Sequence, residues 1–238
     1  MRSLCPTETV PVDEQGRNGH RGSLSTRPIT PDRSVSTYFC ICAGTLGRMI
    51  VTVANVKGGV GKTTSAVLLA HALGAGVVDT DPQGSATAWG EAAAGAGTPL
   101  AVSITSLPTA RLEGRLPSGE HLVIDTPPGD LTITKAAIAV ADLVLVPTAP
   151  TALDMNRVWA TLDLTSEAGK PTTVLLVKVR AGTRAVGASA SVLTDEGVRI
   201  IETRIPLREA LALAWGDPVT DLYGYDLVAD ELTRSARG

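Results

Sequence analysis

Eight consecutive residues, Lys57-Gly58-Gly59-Val60-Gly61-Lys62-Thr63-Thr64, bring three glycines, two ammonium groups and two hydroxyls into one short stretch. That mixture suits a bound polyphosphate. Glycines 58, 59 and 61 let backbone N–H groups turn inward toward phosphate oxygens. The apolar run Ala66-Val67-Leu68-Leu69-Ala70 follows at once, so a helix starts at the loop and adds the partial positive charge of its N-terminus. In such a loop Lys62 reaches the β- and γ-phosphates, and the Thr63 hydroxyl coordinates Mg²⁺. A plain glycine turn between strand and helix would need the glycines but not these lysines and hydroxyls at this spacing.

Two further segments place acids where such a loop needs them. Val77-Val78-Asp79-Thr80-Asp81-Pro82-Gln83-Gly84 is an apolar run ending in two acids spaced two apart. Both side chains leave the same face of a strand, and Pro82 stops the ladder. Asp81 then sits at a strand's C-terminal end, beside the loop. A turn with a helix cap explains the same residues equally well. His121-Leu122-Val123-Ile124-Asp125 is a second apolar run closed by an acid, followed by Thr126-Pro127-Pro128-Gly129. A buried strand ending in Asp125 presents a carboxylate to Mg²⁺. The backbone N–H near Gly129 is placed to sense a terminal phosphate.

The elements that hold these residues alternate. Apolar runs at 50–54, 75–79, 100–104, 121–125, 143–147, 173–178 and 198–202 read as strands. Helical patterns fill most gaps, notably 62–74, 132–141, 153–167 and 220–234. This order predicts an α/β layered fold of phosphate-loop type, with a mostly parallel sheet covered by helices on both faces. The composition agrees: 44% hydrophobic against 19% charged residues fills a large core, and only 3% aromatics leaves it to aliphatic side chains.

Residues 1–48 differ from the remainder. They are rich in Pro, Ser, Thr, Gly and Arg without apolar period, which reads as a disordered tail or a misplaced start ahead of Met49. The phosphate-loop domain is then 49–238. All three cysteines, Cys5, Cys40 and Cys42, lie in that first part. Cys40-Ile-Cys42 has no second cluster to complete a metal site. No apolar leader opens the chain and no run is long enough to cross a bilayer, so the expectation is a cytoplasmic protein without membrane contact. A net charge of −3 supplies no overall field for nucleic acid, so any DNA contact needs a local patch.

The ordinary phosphate-loop motif places its first glycine where this chain has Val56, and here a second lysine, Lys57, precedes the double glycine. This is the deviant Walker A pattern of the ParA, MinD and nitrogenase-iron-protein superfamily. Asp-Thr-Asp-Pro-Gln-Gly at 79–84 resembles its switch I, and Asp-Thr-Pro-Pro-Gly at 125–129 its Walker B and switch II start. Over about 49–235 the chain resembles the small ParA-type partition ATPases without an N-terminal helix-turn-helix domain. The resemblance implies ATP and Mg²⁺ as cofactors, with Asp81 polarising the attacking water and Lys57 reaching across a homodimer that sandwiches two ATP molecules. It further implies non-specific DNA binding by the ATP dimer, release by a centromere-binding ParB-like partner, and association with the nucleoid. DNA contact falls to local arginines: Arg180, Arg184, Arg199, Arg204 and Arg208. One departure stands out. Where the family often has Asp or Asn with Arg near adenine, this chain reads Lys178-Val179-Arg180. A MinD-like positioning ATPase and a small-molecule ligase using the same loop are the alternatives.

Overall fold

The computed structural model describes residues 47–235. The tail, its arginines and the three cysteines lie outside the described residues, apart from Arg48. Six strands form one sheet: β1 (Ile50–Val53), β2 (Gly76–Asp79), β3 (Ile104–Ser106), β4 (Leu122–Asp125), β5 (Leu143–Thr148) and β6 (Thr172–Leu176). Their order is β3-β2-β4-β1-β5-β6, and each neighbouring pair is parallel. Seven helices intervene among the described residues: α1 (Lys62–Leu73), α2 (Ser85–Gly95), α3 (Leu131–Ala139), α4 (Ala152–Glu167), α5 (Arg184–Asp195), α6 (Glu209–Leu213) and α7 (Tyr225–Ser235).

The alternation of side chains along each strand separates two cores. On one face Val51, Val53, Val123, Leu145 and Leu175 pack under α1, α2 and α7, which contribute Leu68, Leu69, Trp89, Tyr225 and Val228. On the other face Val144, Val146, Val174 and Leu176 meet Ile138, Met155, Val158 and Leu193 of α3, α4 and α5. Val78, Leu122 and Ile124 extend that second face beneath α3. Burial on both sides explains why these strands are almost unbroken apolar runs. Thr52 is the exception in β1. Its side chain faces α3 and donates to the Ala137 carbonyl at 2.8 Å.

Two strand expectations are corrected. The run at 100–104 overlaps β3 only at Ile104; Leu100 and Val102 pack against the core from the segment ahead of it. The run at 198–202 is not a strand. Val174 makes a single bridge to Ile200, while Ile201 is buried under α7's face of the sheet. Its polar flank is held from the side: Glu231 of α7 accepts from the backbone N–H groups of Glu202 at 2.7 Å and Thr203 at 2.8 Å. The segment still follows the edge of β6, with Ile201 N–H donating to the Val174 carbonyl and Ile205 N–H to that of Leu176, but without a continuous ladder.

The strand order reverses about β1. The connection from β1 leads toward β2 on one side, and β5 and β6 lie on the other. In an open parallel sheet the crevice beyond the C-terminal ends at such a reversal is where a ligand is held. The loop 57–64 leaves β1 at that point.

Trp89 anchors the α2 layer: it is 1% exposed and its indole N–H donates to the Asp217 carbonyl at 2.9 Å. Trp89→Ala should cost about 3–5 kcal/mol, the usual range for a buried aromatic truncated to alanine. Urea unfolding of the two proteins measures the difference.

Candidate functional site: a phosphate cradle at the centre of the sheet

Register brings the acids to the loop. Val53 of β1 lies opposite Asp125 of β4, and Asp125 lies opposite Asp79 of β2. The three strands therefore end level. The Thr126 hydroxyl donates back to the Val53 carbonyl at 2.9 Å, and the Thr80 hydroxyl to the Asp125 carbonyl at 2.6 Å. These bonds splice the three strand ends together just where their chains leave the sheet.

The loop itself is fixed from below. Buried Asn55 donates to the Pro147 carbonyl at 3.0 Å and accepts from the Lys57 N–H at 2.9 Å. Val56 N–H is taken by Thr161 of α4 at 3.2 Å. Gly59 and Gly61 have φ of 73° and 91°, a region that only glycine adopts without strain. Gly58 lies against Pro128 of the second acid's loop: a Cβ there would stand 3.4 Å from the proline, an ordinary contact. Helix α1 starts from Gly61 without any side-chain cap. Its first N–H groups are thus left for an anion.

A cavity of about 470 Å³ opens over this loop. It is lined by Gly59 to Thr64, Asp81, Ser85, Thr126 and Pro128, and by Val177, Lys178, Pro206, Leu207, Leu211 and Trp215. The loop residues suit phosphates, and the apolar side chains of Val177, Leu207, Leu211 and Trp215 suit a base and ribose.

Lys62 is buried, and its ammonium donates to the Lys57 carbonyl at 2.9 Å. Burial lowers its pKa, while the charges of Asp125 and Asp81 work to raise it. Asp125 is fully buried, and both carboxylate oxygens lack a hydrogen-bond partner. Burial pushes its carboxyl up to about 7, against the pull of the nearby Thr63 hydroxyl and of Lys62, while Asp79 and Asp81 push it further. An unpartnered buried carboxylate is costly unless a cation compensates it. With the Thr63 hydroxyl beside it, Asp125 has the donor set that hard, oxygen-seeking Mg²⁺ takes, supplemented by phosphate oxygens. Among the described residues no group of three or more His, Cys, Asp or Glu side chains forms a metal site.

Asp81 is 8% exposed and faces the cavity. It also forms the turn: its Oδ1 accepts from the Gln83 N–H at 2.9 Å. Both readings of this residue are therefore present in one conformation. Asp79 does not line the cavity. It accepts from Asp81 N–H at 3.1 Å and from the N–H and hydroxyl of Thr87, both at 2.8 Å, tying α2 to the strand end. Thr63 and Thr64 line the cavity. Gly129 has φ 76° and follows the lining residue Pro128 without lining the cavity itself.

Lys57 points away from its own cradle. Its ammonium pairs with Asp154 in the first turn of α4, and a third of the Lys57 side chain remains exposed. Lys178 is a cradle residue that the spacing alone did not single out. It has φ 54° and its ammonium donates to the Gly59 carbonyl at 2.6 Å. A lysine in that strained region is uncommon and marks a site whose surroundings enforce it. Of the arginines, Arg180 and Arg184 are exposed, at the end of β6's loop and in the first turn of α5. Arg204 is half-buried and donates to the Ile201 carbonyl. Arg208 is exposed and lines the cavity.

With that geometry in view, comparison with known proteins is decisive for the family. Residues 51–219 match the CobQ/CobB/MinD/ParA nucleotide binding domain. The chain belongs to that family. Relatives include two proteins called maintenance of carboxysome distribution protein A. The one from Halothiobacillus neapolitanus is 34% identical over 128 residues, covering 50% of this chain and 59% of its own length. The one from Gloeobacter kilaueensis is 42% identical over 114 residues, covering 44% of this chain and 51% of its own length. This chain thus spans somewhat more than half the length of the curated relatives it matches. Among solved structures, a plasmid partition protein from Borrelia burgdorferi bound to AMPPNP superposes with a TM-score of 0.64 at 19% identity, covering 79% of this chain and all of that one. At that identity the likeness concerns the fold, an α/β phosphate-loop architecture around one parallel sheet.

Lys62→Ala should abolish nucleotide binding, because a charge-assisted contact in a preorganised cradle is lost. Titration calorimetry with ATP checks this, and near-parental affinity would remove the cradle assignment. Asp125→Ala should instead erase the gain in ATP affinity that Mg²⁺ confers on the parent, with less effect when Mg²⁺ is chelated.

Proposed function

We propose that this chain is a Mg²⁺-dependent ATPase of the ParA-like positioning type, working as a homodimer that sandwiches two ATP molecules, binds DNA without sequence preference, and is released by a partner that stimulates hydrolysis. The observation that carries this reading is Lys57. Lys62 already occupies the cradle, so Lys57 is surplus to one subunit's phosphates, and it sits on the loop's outer side with part of its side chain exposed. Within the subunit its charge is met by the single carboxylate of Asp154, and a more highly charged anion competes for it. A partner subunit's triphosphate is such an anion. Lys57 then acts as an arginine finger does, stabilising charge on the transferred phosphoryl group.

Within one subunit the roles divide simply. Gly58 to Gly61 and the start of α1 hold the phosphates, with Lys62 and Thr64 at the same end. Thr63 and Asp125 hold Mg²⁺, which when bound neutralises charge developing on the phosphate oxygens. Asp81 orients the attacking water, and the N–H near Gly129 responds to the γ-phosphate. Asp81→Ala should retain ATP binding but lose about 10²-fold or more in turnover, the scale of a lost general base. A phosphate-release assay reads this, and turnover within twofold of the parent leaves Asp81 as a turn residue only.

Arg180 and Arg184 are the best-placed DNA contacts, since both are exposed on neighbouring segments. Arg204 and Arg208 remain candidates, though one is occupied with its own backbone and the other borders the cavity. The relatives' names point to cargo positioning, of carboxysomes in one case and plasmids in another. A ParB-like or other cargo-bound adaptor would then be the stimulating partner, acting over the nucleoid in the cytoplasm. A membrane-cycling MinD-like role would use an exposed amphipathic helix, and the apolar residues Tyr225, Val228 and Leu232 of α7 are buried in the core with α1. A small-molecule ligase draws support from the cavity's apolar lining, which includes Leu211 and Trp215. DNA binding separates the readings. With ATP, filter binding should show affinity falling steeply with salt, and Arg180→Ala with Arg184→Ala should lower affinity for every sequence and reduce the salt slope by about two. Binding that is sequence-specific or independent of ATP would contradict the positioning reading.

A further inference from the structure

Lys57 is held from three directions. Its N–H donates to Asn55 at 2.9 Å, its carbonyl accepts from Lys62 at 2.9 Å, and its ammonium is paired with Asp154. The first two bonds fix the backbone. The third decides where the side chain points, toward α4 of the same subunit rather than outward.

Asp154 is itself aimed. Its Oδ1 takes Lys57, and its Oδ2 accepts the Thr151 hydroxyl at 2.5 Å. Its N–H donates to the same hydroxyl at 3.2 Å, so Thr151 caps α4 and fixes the carboxylate together. The Asp154 side chain is 9% exposed. Burial works to raise its pKa, but the Lys57 and Thr151 hydrogen bonds, with the charge of Lys57 and more distantly Lys178, hold it below the usual carboxylate range. Asp154 lies outside the cavity lining and touches no phosphate-binding residue other than Lys57.

We propose that Asp154, braced by Thr151, is a positioning residue that parks the Lys57 ammonium within its own subunit, so that the ATP-dependent dimer forms only when a partner's triphosphate outcompetes this carboxylate. The proposal rests on the trans role of Lys57 given above. The competition is between anions of unequal charge: one carboxylate against a triphosphate. Without ATP in the partner, the carboxylate keeps the lysine. When Lys57 leaves, Asp154 retains Thr151 and the field of Lys178, so it is not stranded as an unpaired buried charge. The exchange is therefore reversible, and hydrolysis, which removes charge from the partner's nucleotide, favours return.

The test is dimer formation measured by sedimentation with AMPPNP, which separates association from turnover. Asp154→Ser should lower the dimer dissociation constant roughly tenfold or more, the scale of one charge-assisted bond released on each side. Asp154→Asn, which keeps shape and a weaker acceptor, should give a smaller gain in the same direction. Thr151→Val leaves the charge in place and only loosens it, so it should tighten the dimer slightly; it also serves if the serine variant does not fold. Lys57→Ala combined with Asp154→Ser should show no gain, which a merely structural effect on α4 would not predict. Unchanged or weaker dimers in the Asp154 variants, with Lys57→Ala unable to dimerise, would overturn the parking role alone. Normal AMPPNP-induced dimers in Lys57→Ala would instead overturn the trans reading on which it stands.

Discussion

Helix α1 begins on a glycine with no side chain to cap it, above a carboxylate that is buried without a partner. Each is a deficit of opposite sign. The helix start and Lys62 await an anion, and Asp125 awaits a cation. A bound nucleotide with its divalent metal satisfies both at once. The rest of the fold maintains this pair of deficits at a fixed separation. Level strand ends set by the β1–β4–β2 register do so in the sheet, and the Thr80 and Thr126 hydroxyls do so just beyond it. Helices α3 and α4 carry side-chain caps from Asp130 and Thr151, while α2, α5 and α6 start without one, as α1 does.

The same economy of charge accounts for the second lysine. Three ammonium groups converge on the loop: Lys62 inside it, Lys178 on the Gly59 carbonyl, and Lys57 on its outer edge. Only Lys57 has a carboxylate partner outside the cradle. That difference links the loop to α4 and, through Thr161 and Val56, ties the start of the loop to the same helix. A shift of α4 is thereby felt at the loop, and the reverse holds.

How much of this was legible in the sequence depends on distance along the chain. The cradle was, because Lys57 to Thr64 carries its chemistry and its strand–helix context within one short stretch. Asp125 was, because it closes an apolar run whose period fixes where it emerges; Asp81 was less so, since β2 ends at Asp79 and Asp81 belongs to the turn beyond it. The parallel α/β class followed from alternation of elements. Edge strands were less legible. The apolar run at 198–202 makes only one bridge to β6, with Ile201 packed in one core and Val198 and Ile200 against the other, and periodicity cannot tell this from a strand. The glycine count also hid a difference: Gly59 and Gly61 have positive φ, and Gly58 does not. The partners of the lysines were beyond reach, since Asp154 lies 97 residues from Lys57 and Gly59 lies 119 from Lys178. A signal existed for the first of these. Thr151-x-x-Asp154 has the spacing of a capping pair ahead of a helix, and reading it would have placed an ordered carboxylate on α4. Lys178's strained backbone has no sequence signature, because nothing in its type predicts a positive φ.

The central claim is that each catalytic site is built from two subunits, with Asp81 and Lys62 from one and Lys57 from the other. Mixing two inactive variants tests it most directly. In a heterodimer of Lys57→Ala with Asp81→Ala, the nucleotide held by the Lys57→Ala subunit meets an intact Asp81 in cis and an intact Lys57 from its partner. Steady-state ATP turnover should therefore rise on mixing well above the sum of the two variants measured alone. If Lys57 serves its own subunit's nucleotide, no site in the mixture has both residues, and turnover stays at that sum.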